Sequence, residues 1–199
     1  MTNFETRAIH VAQDPDSTTG AVIPPIYMSS THRQRAIGDH IGGYEYNRAG
    51  NPTRSAFEKA LASLEGGHFA FSFASGLAAE DALIRAALTP GDHAILADDL
   101  YGGTFRLFNR VHRHNGIEFD VADLLDLDAI RAAFKPGKTK MIWIETPSNP
   151  VLRIVDIEAV AAIATSALVA RTFVRFASFM VCPPLMPPVP PVGVEIGGN

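Results

Sequence analysis

The chain has 199 residues, enough for one domain with a sizeable core, and its 47% apolar and 19% charged residues are typical of a globular protein. A net charge of −4 gives no reason to expect nucleic acid or an anionic membrane as a partner. The only cysteine is Cys182, so we expect no internal disulfide and a cytoplasmic location. The N-terminus has no apolar signal core, and Arg171 and Arg175 interrupt the longest apolar run, so we expect no membrane segment.

Residues 1–45 are rich in Gly, Pro, Ser, Thr and Tyr and show no sustained hydrophobic period. The segment 18–26 is typical of an extended arm, and residues 44–53 are typical of a turn-rich loop. Because an arm of this length buries little of its own surface, we expect it to pack on another subunit.

From residue 53 to residue 164, helical and strand patterns alternate. We predict helices over 53–64, 77–88, 105–114, 128–134 and 156–164, and strands over 69–74, 93–97, 117–121 and 140–145. This alternation predicts an α/β fold with a mostly parallel sheet that is covered by helices on both faces.

Three polar turns follow predicted strands, at Ser75-Gly76, 98–104 and 145–149. Ligands of parallel sheets bind beyond the carboxyl ends of the strands. The first turn opens a helix whose first amides lack internal partners, and Gly76 has no Cβ to keep an anion away from the backbone. An ordinary strand-to-helix turn is the simpler interpretation of Ser75-Gly76 alone, but the convergence of three turns favours a ligand site.

Two other candidate sites carry weaker signals. His112 and His114 suggest a metal pair, but they fall on a basic helix end with no nearby carboxylate or cysteine in the sequence. Asp98 and Asp99 have the chemistry of a magnesium site, although a solvated strand end is the simpler interpretation. Neither a Gly-x-Gly-x-x-Gly nor a Gly-x-x-x-x-Gly-Lys-[Ser/Thr] motif occurs, which excludes the Rossmann and P-loop interpretations.

Four motifs in order carry a family resemblance: residues 46–53 (YNRAGNPT), 74–80 (ASGLAAE), 99–104 (DLYGGT) and 145–150 (ETPSNP). Together they resemble the Cys/Met-metabolism family of pyridoxal-phosphate (PLP) enzymes, which act in transsulfuration as cystathionine γ-synthases, γ-lyases and β-lyases. The resemblance runs from about Thr6 to about Ala164. It implies PLP-dependent transferase fold type I, with an aspartate-aminotransferase-like large domain and an incomplete parallel-rich sheet.

The resemblance also implies the cofactor-binding residues. The amides of Gly76 and Leu77 would hold the phosphate of PLP. Tyr46 and Arg48 would reach the same phosphate from the neighbouring subunit, and a bidentate guanidinium suits a dianion. The family assembles as a homotetramer built of dimers, so a homo-oligomer is the expected partner state.

The chemistry implied by the resemblance is elimination at the β or γ carbon, or γ-replacement, on a small sulfur amino acid. Tyr101 would stack on the pyridine ring and is the candidate catalytic proton carrier. Asn149 would lie near the phenolic oxygen of the ring. Methionine γ-lyases typically carry Cys where Gly103 stands, so the motif favours cystathionine chemistry.

The sequence departs from the family after the last predicted helix. The family continues with a strand that carries an aspartate and a Ser-x-Thr-Lys segment whose lysine forms the Schiff base, and neither is present. Lys59 lies mid-helix, and the other three lysines precede a strand at the amino edge of the sheet. We therefore expect a chain that is truncated or out of register from about Thr165 and inactive. The alternative is a non-catalytic remnant that at most binds the phosphate of PLP or pairs with another subunit.

Three regions are therefore expected. Residues 1–52 form the arm and the cofactor-reaching loop, and residues 53–164 form a partial PLP-binding large domain. Residues 165–199 form an aberrant Pro-rich tail, in which 167–170 are compatible with one more strand and the remainder has no helical or strand period.

Overall fold

The computed structural model describes residues 3–166, 171–176 and 179–181. A five-stranded sheet with the order β4-β3-β5-β6-β7 lies at its centre. These strands are β3 (His93–Ala97), β4 (Glu118–Ala122), β5 (Thr139–Glu145), β6 (Arg171–Phe176) and β7 (Phe179–Val181). Strands β3, β4, β5 and β6 are parallel to one another, and β7 runs antiparallel to β6. A separate short hairpin pairs β1 (Gln34–Ala36) with β2 (Asp39–His40).

Apolar sequence explains the position of the central strands. All five residues of β3 are buried, and from Met141 to Glu145 every residue of β5 is buried as well. Continuous burial is typical of parallel strands with both faces covered, because neither face meets water. Ile84 of one helix and Val160 of another pack into the same core.

Four of the six described α-helices, α2, α3, α5 and α6, begin at a side-chain cap. They are α1 (Phe4–His10), α2 (Pro52–Leu64), α3 (Gly76–Ala87), α4 (Gly102–Leu107), α5 (Leu127–Ala133) and α6 (Ile157–Ser166). The side chain of Asn51 accepts the amides of Thr53 and Arg54 at the start of α2, which has Pro52 as its first residue. Asp156 caps α6 as expected, since its Oδ1 accepts the amide of Ala159 at 3.0 Å. The helices predicted over 53–64, 77–88, 128–134 and 156–164 are therefore confirmed to within one or two residues.

The strand predicted over 69–74 is wrong. This segment has no strand structure, and Phe69 and Phe71 are 78% and 76% exposed. A strand exists only when a neighbour completes its hydrogen-bond ladder, and within the described part of the chain no strand pairs with this segment. Aromatic composition alone therefore did not bury it.

The end of the chain also differs from expectation. Strands β6 and β7 lie where we expected no strand period, and β6 continues the parallel sheet beside β5. The possible strand at 167–170 and the Pro-rich run lie outside the described residues. At the other end, α1 and the β1–β2 hairpin arise where no regular element was predicted, and α4 continues into a π-helical turn, Phe108–His112. None of the described helices has the length and apolar character needed to cross a membrane.

Candidate active site

A buried hydroxyl joins the three polar turns at the carboxyl edge of the sheet. The Oγ1 atom of Thr104, in the first turn of α4, lies 2.9 Å from Oε2 of Glu80 and 3.0 Å from Oε1 of Glu145. All three residues are buried. Glu80 is one turn into α3, which begins at Gly76, and Glu145 ends β5. The predicted convergence of these turns is therefore present.

The start of α3 has the features of an anion site. Ser75 is the N-cap in extended conformation, and its side chain accepts the amide of Ala78 at 3.2 Å. The helix begins at Gly76, so the amides of Gly76 and Leu77 have no partner within it. Gly76 is exposed and Leu77 is 37% exposed. An incoming anion would meet free amides and the positive end of the helix dipole.

Tyr101 is held at the N-cap position of α4, directly after the turn that follows β3. Its backbone N–H donates to Oε2 of Glu145 at 2.8 Å. Its ring lies against Gly103, where a Cβ would come within 2.2 Å of Cε1 of the ring. The ring is 38% exposed, so it is supported on one side and accessible on the other.

Asn149 is an exposed residue on the loop that follows β5. The neighbouring Ser148 is buried, and its hydroxyl donates to Oδ2 of Asp99, which follows β3. The amide of Arg153 donates to the Ser148 hydroxyl at 2.8 Å, and the amide of Val151 donates to Asp99 at 3.3 Å. These bonds fix the loop that carries Asn149 to the end of β3.

Arg153 is a residue that the sequence analysis missed. Its guanidinium donates to both carboxylate oxygens of Asp98, at 3.0 and 2.8 Å, and to Oδ1 of Asp123 at 2.6 Å. The amide of Leu125 and this guanidinium hold the pKa of Asp123 below its usual value. Arg153 thus connects the ends of β3 and β4 with the loop after β5. Asp98, one of the two carboxylates considered for magnesium, is engaged in this ion pair.

Tyr46 and Arg48 lie on a separate loop. The guanidinium carbon of Arg48 is 5.0 Å from the centre of the Tyr46 ring, and Tyr46 is 42% exposed. The structure therefore brings these two residues to each other. Their approach to a phosphate in a neighbouring subunit stays a prediction.

The four lysines lie within the described residues. Lys135 lies 3.0 Å from Oδ2 of Asp120, and Lys138 lies 3.4 Å from Oε1 of Glu118, at the amino edge of the sheet. Lys140 is the second residue of β5, and Lys59 is exposed on α2. Three of the four lysines are therefore at the edge opposite the polar turns.

The expectation that His112 has no carboxylate neighbour is wrong. His112 is 2% exposed, and its Nε2 atom lies 3.1 Å from Oδ1 of Asp81 on α3. Burial lowers the pKa of His112, and the bond from Arg85, followed by His112, lowers the pKa of Asp81. No group of three or more metal-ligating side chains occurs among the described residues. The pair joins α3 to the helical turn after α4.

Comparisons with known proteins agree with the sequence motifs. The family model for Cys/Met metabolism PLP-dependent enzymes matches residues 5–189, which extends beyond the point near Ala164 where the resemblance was expected to end. A probable cystathionine gamma-synthase of Herpetosiphon aurantiacus is 53% identical over 161 residues, which are 81% of this chain and 50% of the relative. A cystathionine beta-lyase of Lactococcus lactis is 51% identical over 164 residues, which are 82% of this chain and 42% of the relative. The chain thus spans about half the length of the curated relatives that it matches.

Solved structures show the same relationship. The cystathionine gamma-lyase of Lactobacillus plantarum, solved with L-serine, superposes with a TM-score of 0.79 at 46% identity, covering 87% of this chain and 44% of that one. The cystathionine gamma synthase of Xanthomonas oryzae, solved with aminoacrylate and cysteine, superposes with a TM-score of 0.79 at 36% identity over the same shares. The expected α/β fold of this enzyme class is therefore confirmed. The chain belongs to the family of Cys/Met metabolism PLP-dependent enzymes.

Proposed function

We propose that the protein acts in PLP-dependent carbon–sulfur bond chemistry on cystathionine-like sulfur amino acids, by β- or γ-elimination or γ-replacement. The observation that carries the proposal is the convergence of α3, the turn before α4 and the end of β5 at one edge of the sheet, which the Thr104 hydroxyl and the Glu145 carboxylate join. Relatives named cystathionine gamma-synthase and cystathionine beta-lyase match over four fifths of the chain. Gly103 favours cystathionine over methionine as the substrate.

The residues at this edge fit PLP, the cofactor of the family. The exposed start of α3 offers the amides of Gly76 and Leu77 to the phosphate, and the accessible Tyr101 ring offers a flat surface to the pyridine ring. Asn149 is exposed on the loop that Ser148 and Asp99 fix to the same edge. When bound, PLP supplies an electron sink for the substrate. The phenol of Tyr101 would move a proton, and the Asn149 amide would orient the ring.

The same proposal limits the catalytic activity of residues 1–199. At the amino edge, Lys135 forms an ion pair with Asp120 and Lys138 forms one with Glu118. Lys140 is the second residue of β5, so all three lysines are far from the polar turns. We therefore propose that this stretch binds PLP reversibly and lacks the Schiff-base lysine that turnover needs.

The alternative function is non-catalytic: pairing with another subunit through the N-terminal arm. The exposed apolar side chains of the arm, Val22, Ile23, Ile26 and Met28, favour such pairing. We also propose that the protein assembles as a homotetramer and is located in the cytoplasm.

Titration with PLP tests the site, with pyridoxal, which lacks the phosphate, as the matched control ligand. We expect ellipticity in the visible band of PLP, and much weaker binding of pyridoxal, because the α3 amides recognise the phosphate. Equal binding of the two ligands, or none, would refute the proposed site.

Borohydride reduction followed by peptide mapping tests the limit on turnover. We expect no stoichiometric pyridoxyl adduct on a single lysine and no cleavage of cystathionine. A specific adduct on Lys59, for example, with turnover that disappears in Lys59→Ala, would show that the chain is catalytically competent.

A further inference from the structure

We propose that Glu145 is a positioning residue for Tyr101 and that its role requires a carboxylate, whose two oxygens both accept hydrogen bonds. The proposal rests on the proposed function, because it assigns Glu145 the task of presenting the Tyr101 ring to the cofactor. The residues that the family resemblance assigns to the site do not include Glu145, which is buried at the end of β5.

Two N–H donors and a hydroxyl shared with Glu80 converge on the Glu145 carboxylate. Oε2 accepts the backbone N–H of Tyr101 at 2.8 Å. Oε1 accepts the indole N–H of Trp143 at 3.3 Å and lies 3.0 Å from the Thr104 hydroxyl. Glu145 is 5% exposed, so water does not replace these bonds readily. The carboxylate thereby joins the end of β5 to the turn before α4.

The N-terminus of α4 explains why Glu145, which is distant in the sequence, accepts the amide of Tyr101. Ser75 caps α3 with its own hydroxyl, and Asp126 caps α5 with its carboxylate. Tyr101 occupies the corresponding position of α4 and makes no side-chain capping bond, since its side chain is the ring that lies against Gly103. Glu145 holds the Tyr101 backbone instead, so the Tyr101 side chain does not have to cap the helix.

An amide cannot replace the carboxylate in this arrangement. A carboxylate has acceptor sites on both oxygens, whereas a glutamine has one oxygen and an NH₂ group that only donates. In either orientation of Glu145→Gln, the NH₂ group would face the N–H of Tyr101 or that of Trp143. The Tyr101 segment should therefore loosen even though the volume of the side chain is unchanged.

Glu80→Gln is the matched control. It changes another buried glutamate that bonds the same Thr104 hydroxyl, and it leaves the acceptor of the Tyr101 amide in place. Urea unfolding, followed by the fluorescence of Trp143, the single tryptophan, shows whether each variant folds. If Glu145→Gln does not fold, Glu145→Asp takes its place, because it keeps the charge but withdraws the carboxylate by one methylene.

Two measurements test the proposal. The first is deuterium uptake in the peptide covering residues 99–107, which needs no cofactor and should accelerate at least tenfold in Glu145→Gln but less than twofold in Glu80→Gln. The second is PLP titration of the full chain, in which Glu145→Gln should raise the dissociation constant about tenfold, equivalent to about 1.4 kcal/mol.

The outcomes separate this inference from the proposed function. If the unchanged chain binds PLP and Glu145→Gln matches Glu80→Gln in both measurements, the positioning role is refuted and the site survives. If Glu145→Gln accelerates exchange but PLP binds unchanged, Glu145 orders the turn without serving the cofactor, and the proposal is again refuted. If the unchanged chain does not bind PLP, the proposed function fails, and the cofactor-directed role fails with it.

Discussion

Replacing Gly103 by alanine tests whether the Tyr101 ring occupies the position that PLP requires. A Cβ at this position would lie 2.2 Å from Cε1 of the Tyr101 ring and 2.9 Å from Cδ1 and Cζ. These distances are too short for any real contact, and the ring is the part that can yield because it is already 38% exposed. We expect the ring to swing outward.

The effect on stability should be small because two changes oppose each other. Gly103 is inside α4, where alanine is preferred over glycine by about 1 kcal/mol. Moving the Tyr101 ring into water exposes on the order of 100 Å² of surface, which costs about 2.5 kcal/mol at ~25 cal/mol per Å². The free energy of unfolding should therefore fall by about 1–2 kcal/mol, which urea titration can resolve.

PLP binding should fall further than stability, by tenfold or more in the dissociation constant, because stacking depends on ring position. Gly102→Ala is the control, since its Cβ would meet only the end of the flexible Arg106 side chain, at 3.3 Å. If Gly103→Ala binds PLP as tightly as Gly102→Ala does, the reasoning about the Tyr101 ring is wrong.

Three further predictions concern the Ser75 cap of α3, the ion pair of Arg153 with Asp123 and the buried His112. Ser75→Ala should cost about 1 kcal/mol of unfolding free energy in urea, because an N-cap bond is lost, and Ser75→Asp should recover it. Arg153→Gln should raise the pKa of Asp123 toward its usual value, which carboxyl chemical shifts would report; an unchanged pKa would mean that the Leu125 amide alone lowers it. Burial lowers the pKa of His112 from its usual value of 6.5 and keeps the side chain neutral. Its contribution to the free energy of unfolding is therefore fully present above about pH 6.5 and declines as the pH falls from there to the folded-state pKa, because the unfolded chain binds this proton more readily. His112→Gln should flatten that decline in urea midpoints, and an unchanged slope would assign the decline to other groups.

Local signals were sufficient for much of the framework. The Asn51-Pro52 pair marks the start of α2, and Ser75-Gly76 marks the start of α3, because capping is a short-range interaction between a side chain and the next few amides. The apolar run 93–97 became β3 at the predicted residues. The same turns, with the motifs that contain them, also indicated the family and the edge of the sheet at which the turns meet.

Contacts between residues that are distant in the sequence could not be predicted from such local signals. The bond from the Tyr101 amide to Glu145 spans 44 residues, and no pattern in either segment indicates it. The ion pair of Arg153 with Asp98 likewise depends on the order of the strands, which places their ends side by side. The aromatic segment 69–74 shows the reverse case, since its strand-like composition produced no strand.

The sequence by itself therefore determined where α2, α3, α5 and α6 and the buried strand β3 begin, to within one or two residues, and which family the chain resembles. Tertiary structure alone decided which groups support Tyr101, which carboxylates are engaged, and which strand-like segments pair. The physical reason is that capping and apolar burial act within a few residues. A hydrogen-bond ladder or a buried carboxylate network needs partners that only the folded chain brings together.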